Sequence, residues 1–258
     1  MKTRVISGLC MVPLLIIIYL GGWWLVGAAF LIGLIGLKEF YEGFNNMGYK
    51  PAFLIGYGSL FVLYMILIWS PNNYNYIMLW LFASVLACGL YLFKIEERKV
   101  EDALCTAIGI VYVVFFSFHI ALIADFPPLY IWLVVVASFA TDIFAYFSGY
   151  LFGKKKLCPN LSPKKTWAGA IGGTLGSILC CGLLGYFMMP EALLHCVILG
   201  FIGAIFAQIG DLTASAFKRK MGIKDYGNLI PGHGGIMDRF DSVIMVAPVI
   251  YYYVTIFM

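Results

Sequence analysis

The stretch Leu175-Gly-Ser-Ile-Leu-Cys-Cys-Gly-Leu-Leu-Gly-Tyr-Phe-Met-Met189 contains no charge and no regular alternation of apolar with polar positions. A strand of a membrane barrel would alternate lipid-facing and inward residues over segments of ~10 residues. Together with Trp167 to Thr174, this run instead has the ~20 apolar residues that a helix needs to cross hydrocarbon. It reads as a membrane helix, and similar runs recur along the chain. Hydrophobic residues make up 62% of the sequence and charged ones 12%, whereas a soluble domain carries about 25% charge. A water-facing fold is excluded.

Working outward from this helix, apolar runs fall at roughly 5–20, 22–38, 51–70, 75–93, 103–124, 128–150, 167–188, 192–217 and 241–257. The expected fold is an all-α integral membrane protein, a polytopic bundle of about nine transmembrane helices. The first two spans share only Gly21-Gly22 as a hinge. Cytoplasmic loops of membrane proteins concentrate Lys and Arg, which tests this arrangement. With a cytoplasmic N-terminus, all 17 cations fall on the inner side. They are Lys2 and Arg4; Lys38 and Lys50; Lys94, Arg98 and Lys99; Lys154, Lys155, Lys156, Lys164 and Lys165; and Lys218, Arg219, Lys220, Lys224 and Arg239. The opposite connections near Ser70–Asn73, Asp125–Pro128 and Met189–Glu191 carry none. The expected location is the inner (cell) membrane, with a cytoplasmic active face and the C-terminus outside.

The N-terminus has the cations and apolar run of a signal peptide, but another span follows at once, so a retained helix is expected. Seven cysteines without C-x-x-C spacing, among them Cys10, Cys88, Cys180, Cys181 and Cys196 inside spans, read as small packing residues. Functional residues are unevenly distributed. Residues 1–125 are read as N-terminal helices for packing and lipid-facing support, and residues 126–258 as the helices and loops carrying the site. Gly169, Gly172, Gly173 and Gly176 give span seven the small-residue spacing that lets helices approach closely in lipid.

Carboxylates inside a membrane are costly, so each raises a functional question. Asp142 and Asp211 lie within spans. Asp211, Ser215 and Lys218 share one helical face leading toward the cytoplasmic boundary. Asp238 and Asp241, three apart at the start of the last span, can share a face as well. Carboxylates converging from several helices make an oxygen-rich site suited to a hard cation such as Mg²⁺. Capping of a helix is the other reading of Asp241; beside Asp211, metal binding is favoured. Pro231-Gly232-His233-Gly234-Gly235 is a close-approach loop whose amides can face phosphate, with His233 placed to contact a phosphate or carry a proton. Lys164 and Lys165, before span seven, read equally as an anion site at a helix start or as a basic interfacial belt. His119 and His195 lack such surroundings and receive no role.

One segment gathers most of this chemistry: Ser215-Ala-Phe-Lys218-Arg219-Lys-Met-Gly-Ile-Lys224-Asp225-Tyr-Gly-Asn-Leu-Ile-Pro-Gly-His233-Gly234-Gly235-Ile-Met-Asp238-Arg239-Phe-Asp241. It resembles, without a gap, the signature of the phosphatidate cytidylyltransferases (CDP-diacylglycerol synthases). Asp142-x-x-Ala145-Tyr146-x-x-Gly149, Phe152-Gly153-Lys154 and Ser162-Pro163-x-Lys165-Thr166-Trp167-x-Gly169 also look like that family. The resemblance is close over about 136–245. Ala168 stands where the family often has Glu or Gln, so a polar role there is not carried over.

The resemblance implies transfer of the cytidylyl group of CTP to phosphatidic acid, giving CDP-diacylglycerol and pyrophosphate. It implies Mg²⁺, with a potassium ion allowed beside it, and metal-binding aspartates at Asp211 and Asp238. It also implies a homodimer in the bilayer and no nucleic-acid partner. On this reading Asp211, Asp238 and Asp241 form the metal site, with Asp142 as a fourth member. Lys218, Arg219, Lys224 and Arg239 neutralise phosphates, Lys165 reaches the triphosphate, Lys164 is a further substrate-binding residue, and Ser215 donates a hydrogen bond. Asp225, His233, Gly234 and Gly235 belong to the substrate loop. The lipid phosphate is already ionised at neutral pH, so charge neutralisation and positioning carry the chemistry. Two rival readings share some of these features. An ion transporter would continue its polar residues to the outer side, and they stop. An enzyme using CTP on another lipid phosphate has the same polar residues and differs in apolar surfaces.

Overall fold

The computed structural model describes residues 12–71, 73–229 and 234–258. His233, Pro231 and Gly232 of the glycine loop lie outside the described residues, as does Cys10. The chain is an all-α polytopic membrane protein. In order, α1 is Val12–Leu20, α2 Gly22–Asn46, α3 Phe53–Trp69, α4 Tyr74–Tyr91 and α6 Leu129–Phe152. Between the last two, α5 (Val100–Asp125) carries a π-helical segment at Ile110–Phe115. The strands β1 (Lys156–Cys158) and β2 (Ser162–Thr166) precede α7 (Trp167–Met188), α8 (Leu193–Lys220) and α9 (Met237–Phe257). Among the described residues, seven helices are long and apolar enough to cross a membrane, and α3, at 17 residues, is a shorter apolar helix.

The order follows the sequence reading, and three differences bear on the site. Helix α2 runs on to Asn46, because its polar end (Lys38, Glu39, Glu42) continues the helix beyond the apolar stretch. Helix α9 starts at Met237, so Asp238 stands in its first turn, where a carboxylate meets free backbone N–H groups. Lys164 and Lys165 precede no bare helix start: they lie on β2, which pairs antiparallel with β1. Thr166 then caps α7 by accepting from Gly169 N at 3.1 Å. The α1–α2 hinge does turn at Gly21 and Gly22, with φ of 61° and 49°, backbone open mainly to glycine.

Helices α6, α7, α8 and α9 form one packed unit. Apolar contact with lipid gives little drive for helices to associate, so close backbone approach through small residues does the work. A Cβ on Gly169 would lie 2.8 Å from Ala145 O, and one on Gly173 2.7 Å from Thr141 O. The glycine face of α7 is therefore pressed onto the backbone of α6. Buried Ser177 donates to Gly200 O at 2.9 Å, joining α7 to α8. Gly210 sets α8 against α9, its would-be Cβ 2.6 Å from Asp241 O.

The N-terminal helices pack around Tyr41, Phe40, Leu60 and Val113, all fully buried. Tyr41 donates to Thr106 O at 2.8 Å, tying α2 to α5. Asp102 accepts from Lys50 N at 2.6 Å and Lys99 N at 2.9 Å, fixing the starts of α3 and α5 together. Cys181 and Cys196 are buried free thiols in this packing.

Candidate active site

A cavity of about 530 Å³ opens between α6, the β1–β2 ribbon, α7 and α8. Its polar lining comes from Thr141 and Asp142 of α6, Lys156, Lys164 and Lys165 of the ribbon, and Gln208 and Asp211 of α8. Tyr146 and Tyr150 add aromatic faces one turn apart on α6. The ribbon thus folds its lysines over a pocket whose floor carries two carboxylates.

Asp211 and Lys165 form an ion pair of 2.5 Å, each side chain about a third exposed or less. Ser215 donates to Asp211 Oδ1 at 3.4 Å, one turn along the same face as the sequence spacing requires. Gln208 donates to Ala170 O at 3.3 Å and Thr174 Oγ1 at 3.1 Å, which closes the α7–α8 wall.

A second centre sits where α8 ends and α9 begins. Lys218 donates to Asp238 Oδ1 at 2.7 Å, and the Asp238 side chain is 2% exposed. The other oxygen accepts from Tyr226 N at 2.8 Å and Gly235 N at 3.0 Å. Asp238 therefore holds both arms of the signature loop. The Gly235 amide is spent on this carboxylate, so it is not free to meet phosphate as the sequence suggested. Gly234 has φ of 84°, and a Cβ there would meet Asp238 Oδ2 at 2.6 Å. Burial pushes the Tyr226 phenol far above its ordinary range, keeping it a donor, and it donates to Ala214 O at 3.1 Å.

Asp142, Asp211 and Asp241 lie within electrostatic reach of one another, and Arg239 within reach of Asp142. Asp241 Oδ1 accepts from Ser242 N at 2.8 Å. Among the described residues neither Asp142 nor Asp241 has a cation at ion-pair distance, and the Arg239 Nε and Ser242 Oγ atoms are buried without a partner. No group of three or more His, Cys, Asp or Glu stands close enough to form a ready-made metal site among the described residues. The fit to a hard cation is in donor type: carboxylate oxygens at Asp142 and Asp241 with no cation at ion-pair distance among the described residues, though Lys165 and Lys218 respectively lie within electrostatic reach, and one at Asp211 shared with Lys165. Asp238 fits less well, with three donors already on it.

The sequence-selected residues thus divide. Asp142, Lys164, Lys165 and Asp211 meet at the cavity; Lys218, Gly234, Gly235 and Asp238 meet at the junction; Asp241 and Arg239 lie between. Arg219, Lys224 and Asp225 are exposed and make no ion pair among the described residues. Sequence reasoning passed over Lys156, Gln208, Tyr226 and Glu39. Glu39, on α2, is buried, and its carboxylate accepts from Ile236 N at 3.0 Å and Met237 N at 2.9 Å. A tyrosine inside a polar loop and a glutamine inside a span were the signals available for Tyr226 and Gln208.

The chain is thus a multi-pass membrane protein in which a lysine-bearing ribbon lines a pocket that also holds two carboxylates. Comparison with known sequences narrows the class. Residues 2–257 match the Cytidylyltransferase family. Similar proteins include the phosphatidate cytidylyltransferase of Synechocystis sp., 30% identical with 99% of this chain and 97% of the relative aligned. That of Thermotoga maritima is 31% identical over 97% of this chain and 95% of its own length. That of Bacillus subtilis is 29% identical, covering 100% and 98%. The chain belongs to the cytidylyltransferase family, and it is a nucleotidyl-transferring enzyme.

Proposed function

We propose that the protein transfers the cytidylyl group of CTP to phosphatidic acid, yielding CDP-diacylglycerol and pyrophosphate. An ionised oxygen of the lipid phosphate attacks the α-phosphorus of CTP. The bond from that phosphorus to the bridging oxygen breaks, and pyrophosphate leaves with the electron pair. The observation that supports this best is the cavity itself, where Lys156, Lys164 and Lys165 face Asp142 and Asp211 at one end of the helix bundle. Its match is a polyphosphate brought to a lipid phosphate, whose mutual repulsion is the main barrier and is lowered by fixed positive charge.

On this reading Lys165 exchanges Asp211 for the triphosphate, aided by Lys164 and Lys156. Ser215 keeps the Asp211 carboxylate oriented. Arg239, within electrostatic reach of Asp142, would meet a phosphate, and Lys218, held by Asp238, presents its remaining N–H groups at the junction. Gly234, Gly235 and His233 border the nucleotide, and Arg219, Lys224 and Asp225 form the outer, solvated rim. Asp142, Asp211 and Asp241 would hold Mg²⁺, with a potassium ion as an accompanying cation and Asp238 as a neighbour that shapes the site. Such an ion neutralises developing charge on phosphoryl oxygens when bound. The site faces the cytoplasm, the acyl chains remain in the bilayer, and the protein works as a homodimer.

The test is incorporation of label from α-³²P-CTP into a chloroform-soluble product by the purified protein, with phosphatidic acid, with and without Mg²⁺. Label appearing only with phosphatidic acid and Mg²⁺ is expected. Label entering lipid only with a different phosphorylated acceptor would replace the substrate, and no label in lipid with any acceptor would end the reading.

A further inference from the structure

Glu39 lies 197 residues before Ile236, on a helix the catalytic motifs do not include, yet its side chain meets the signature segment. It is 5% exposed. Each of its oxygens takes one amide of the first α9 turn, Ile236 N by Oε1 and Met237 N by Oε2. Those amides have no partner within the helix and carry the positive end of its dipole, which suits a carboxylate that has no cation at ion-pair distance among the described residues. Burying a charge without a counter-ion is costly, and α2 is already seated through the apolar contacts of Phe40 and Tyr41. Packing alone therefore does not explain a carboxylate here.

The loop is also moulded to this one side chain. A Cβ on Gly227 would lie 2.6 Å from Glu39 Oε1, with Cδ and Cγ of Glu39 as the next nearest atoms. A Cβ on Gly235 would collide with both carboxylate oxygens. The two glycines stand on opposite arms of the signature loop. One carboxylate thus seats both arms and the helix start that carries Asp238 and Arg239. Helix α2 is itself fixed to α5 by the Tyr41–Thr106 bond, so the clamp transmits the position of the N-terminal helices to the site.

We propose that Glu39 is a positioning residue for cytidylyl transfer: it clamps the two arms of the signature loop and the start of α9, and so sets where Asp238 and Arg239 stand. The proposal rests on the functional reading above for its catalytic consequence but not for the clamp. Its test compares wild type, Glu39→Ala, Glu39→Gln, Gly227→Ala and the double variant Glu39→Ala/Gly227→Ala, all purified in detergent. Two readouts are taken: hydrogen exchange of the peptide spanning residues 234–240, and steady-state transfer from CTP to phosphatidic acid.

The expected result for Glu39→Ala is exchange at least about tenfold faster in that peptide and kcat reduced about 10- to 100-fold, the cost of misplacing reacting groups by roughly 1 Å. The KM for phosphatidic acid changes by less than about threefold, since the hydrogen bonds of Glu39 go to the main-chain amides of Ile236 and Met237 and to no group assigned to the substrate. Glu39→Gln, which keeps one acceptor oxygen, falls between. Gly227→Ala reproduces the defect while Glu39 is present and adds less than about twofold once Glu39 is alanine, because residues sharing one contact are not additive. A general folding role would give additive losses and exchange raised across α2 and α5 as well. Unchanged exchange in Glu39→Ala overturns the clamp, and additive losses or a kcat within twofold of wild type overturn the positioning role. If wild type itself transfers nothing, the functional reading fails, and the exchange experiment still decides the clamp.

Discussion

Lys218 Nζ and Asp238 Oδ1 meet at 2.7 Å across the junction of α8 and α9, an ion pair in which both side chains are shielded from solvent. Removing one partner of a buried pair leaves the other charged and unsatisfied, at about 3–5 kcal/mol. Asp238 also holds Tyr226 N and Gly235 N. Asp238→Ala should therefore lose activity and stability together, with a clearly lower melting temperature in detergent. Asp211→Ala, whose partly exposed pair with Lys165 contributes little to folding, should lose turnover while melting near wild type. Equal melting temperatures in the two variants would refute the junction's structural role.

Lys165 is the cavity lysine with an exchangeable partner. Its pair with Asp211 is 2.5 Å long and open to the pocket, so a triphosphate can replace the carboxylate at small cost. A hydrogen bond to a charged group is worth about 1.5–3 kcal/mol, so Lys165→Ala should raise the KM for CTP about 10- to 100-fold. The KM for phosphatidic acid should move little. Lys165→Arg should restore most of the affinity, because the charge is kept. A larger effect on the lipid KM than on the CTP KM would reassign this side chain to the headgroup.

Much of this architecture was legible in the sequence. Apolar length gave the helices and their order, and the Ser215–Asp241 segment pointed to the junction. The β1–β2 ribbon was not legible: Ser162-Pro163-Lys164-Lys165-Thr166 has the composition of a basic belt, which does not announce its antiparallel pairing with Lys156–Cys158. Glu39 was hidden for another reason. Beside Lys38 and near Glu42, it resembles the charged end of any span, and its role depends on a contact 197 residues away. The resemblance makes Asp238 a metal ligand, whereas its hydrogen bonds to Lys218, Tyr226 N and Gly235 N depend on the folded loop and leave no trace in periodicity.

The α7 glycines bear on the site through α6. A Cβ on Gly173 would stand 2.7 Å from Thr141 O, a backbone atom that cannot swing aside, and Thr141 and Asp142 both line the cavity. Gly173→Val should splay the two helices, costing about 1–3 kcal/mol for overpacking, and should lower activity by more than tenfold. Gly58, with nothing within 4 Å of its would-be Cβ, is the matched control, and Gly58→Val should behave as wild type. Melting curves and turnover measured on the two variants decide the matter. A Gly173→Val protein with normal activity would show that the α6–α7 spacing does not set the cavity.

Asp142 and Asp241 bear most directly on the proposed ion. They come from different helices, lie within reach of Asp211, and have no cation at ion-pair distance among the described residues. If they supply oxygens to Mg²⁺, Asp142→Asn and Asp241→Asn should each raise the Mg²⁺ concentration for half-maximal activity by at least about tenfold, since even outer-shell partners of a metal site are worth that much. Activity should return at high Mg²⁺, because the amide keeps one oxygen donor. Asp238→Asn should behave differently. Its three donors are protein groups, so added Mg²⁺ cannot replace the lost charge, and its activity should stay low at every Mg²⁺ concentration. If all three variants respond to Mg²⁺ alike, Asp238 must release Lys218 and join the ion, and the division of labour drawn from the hydrogen bonds is wrong.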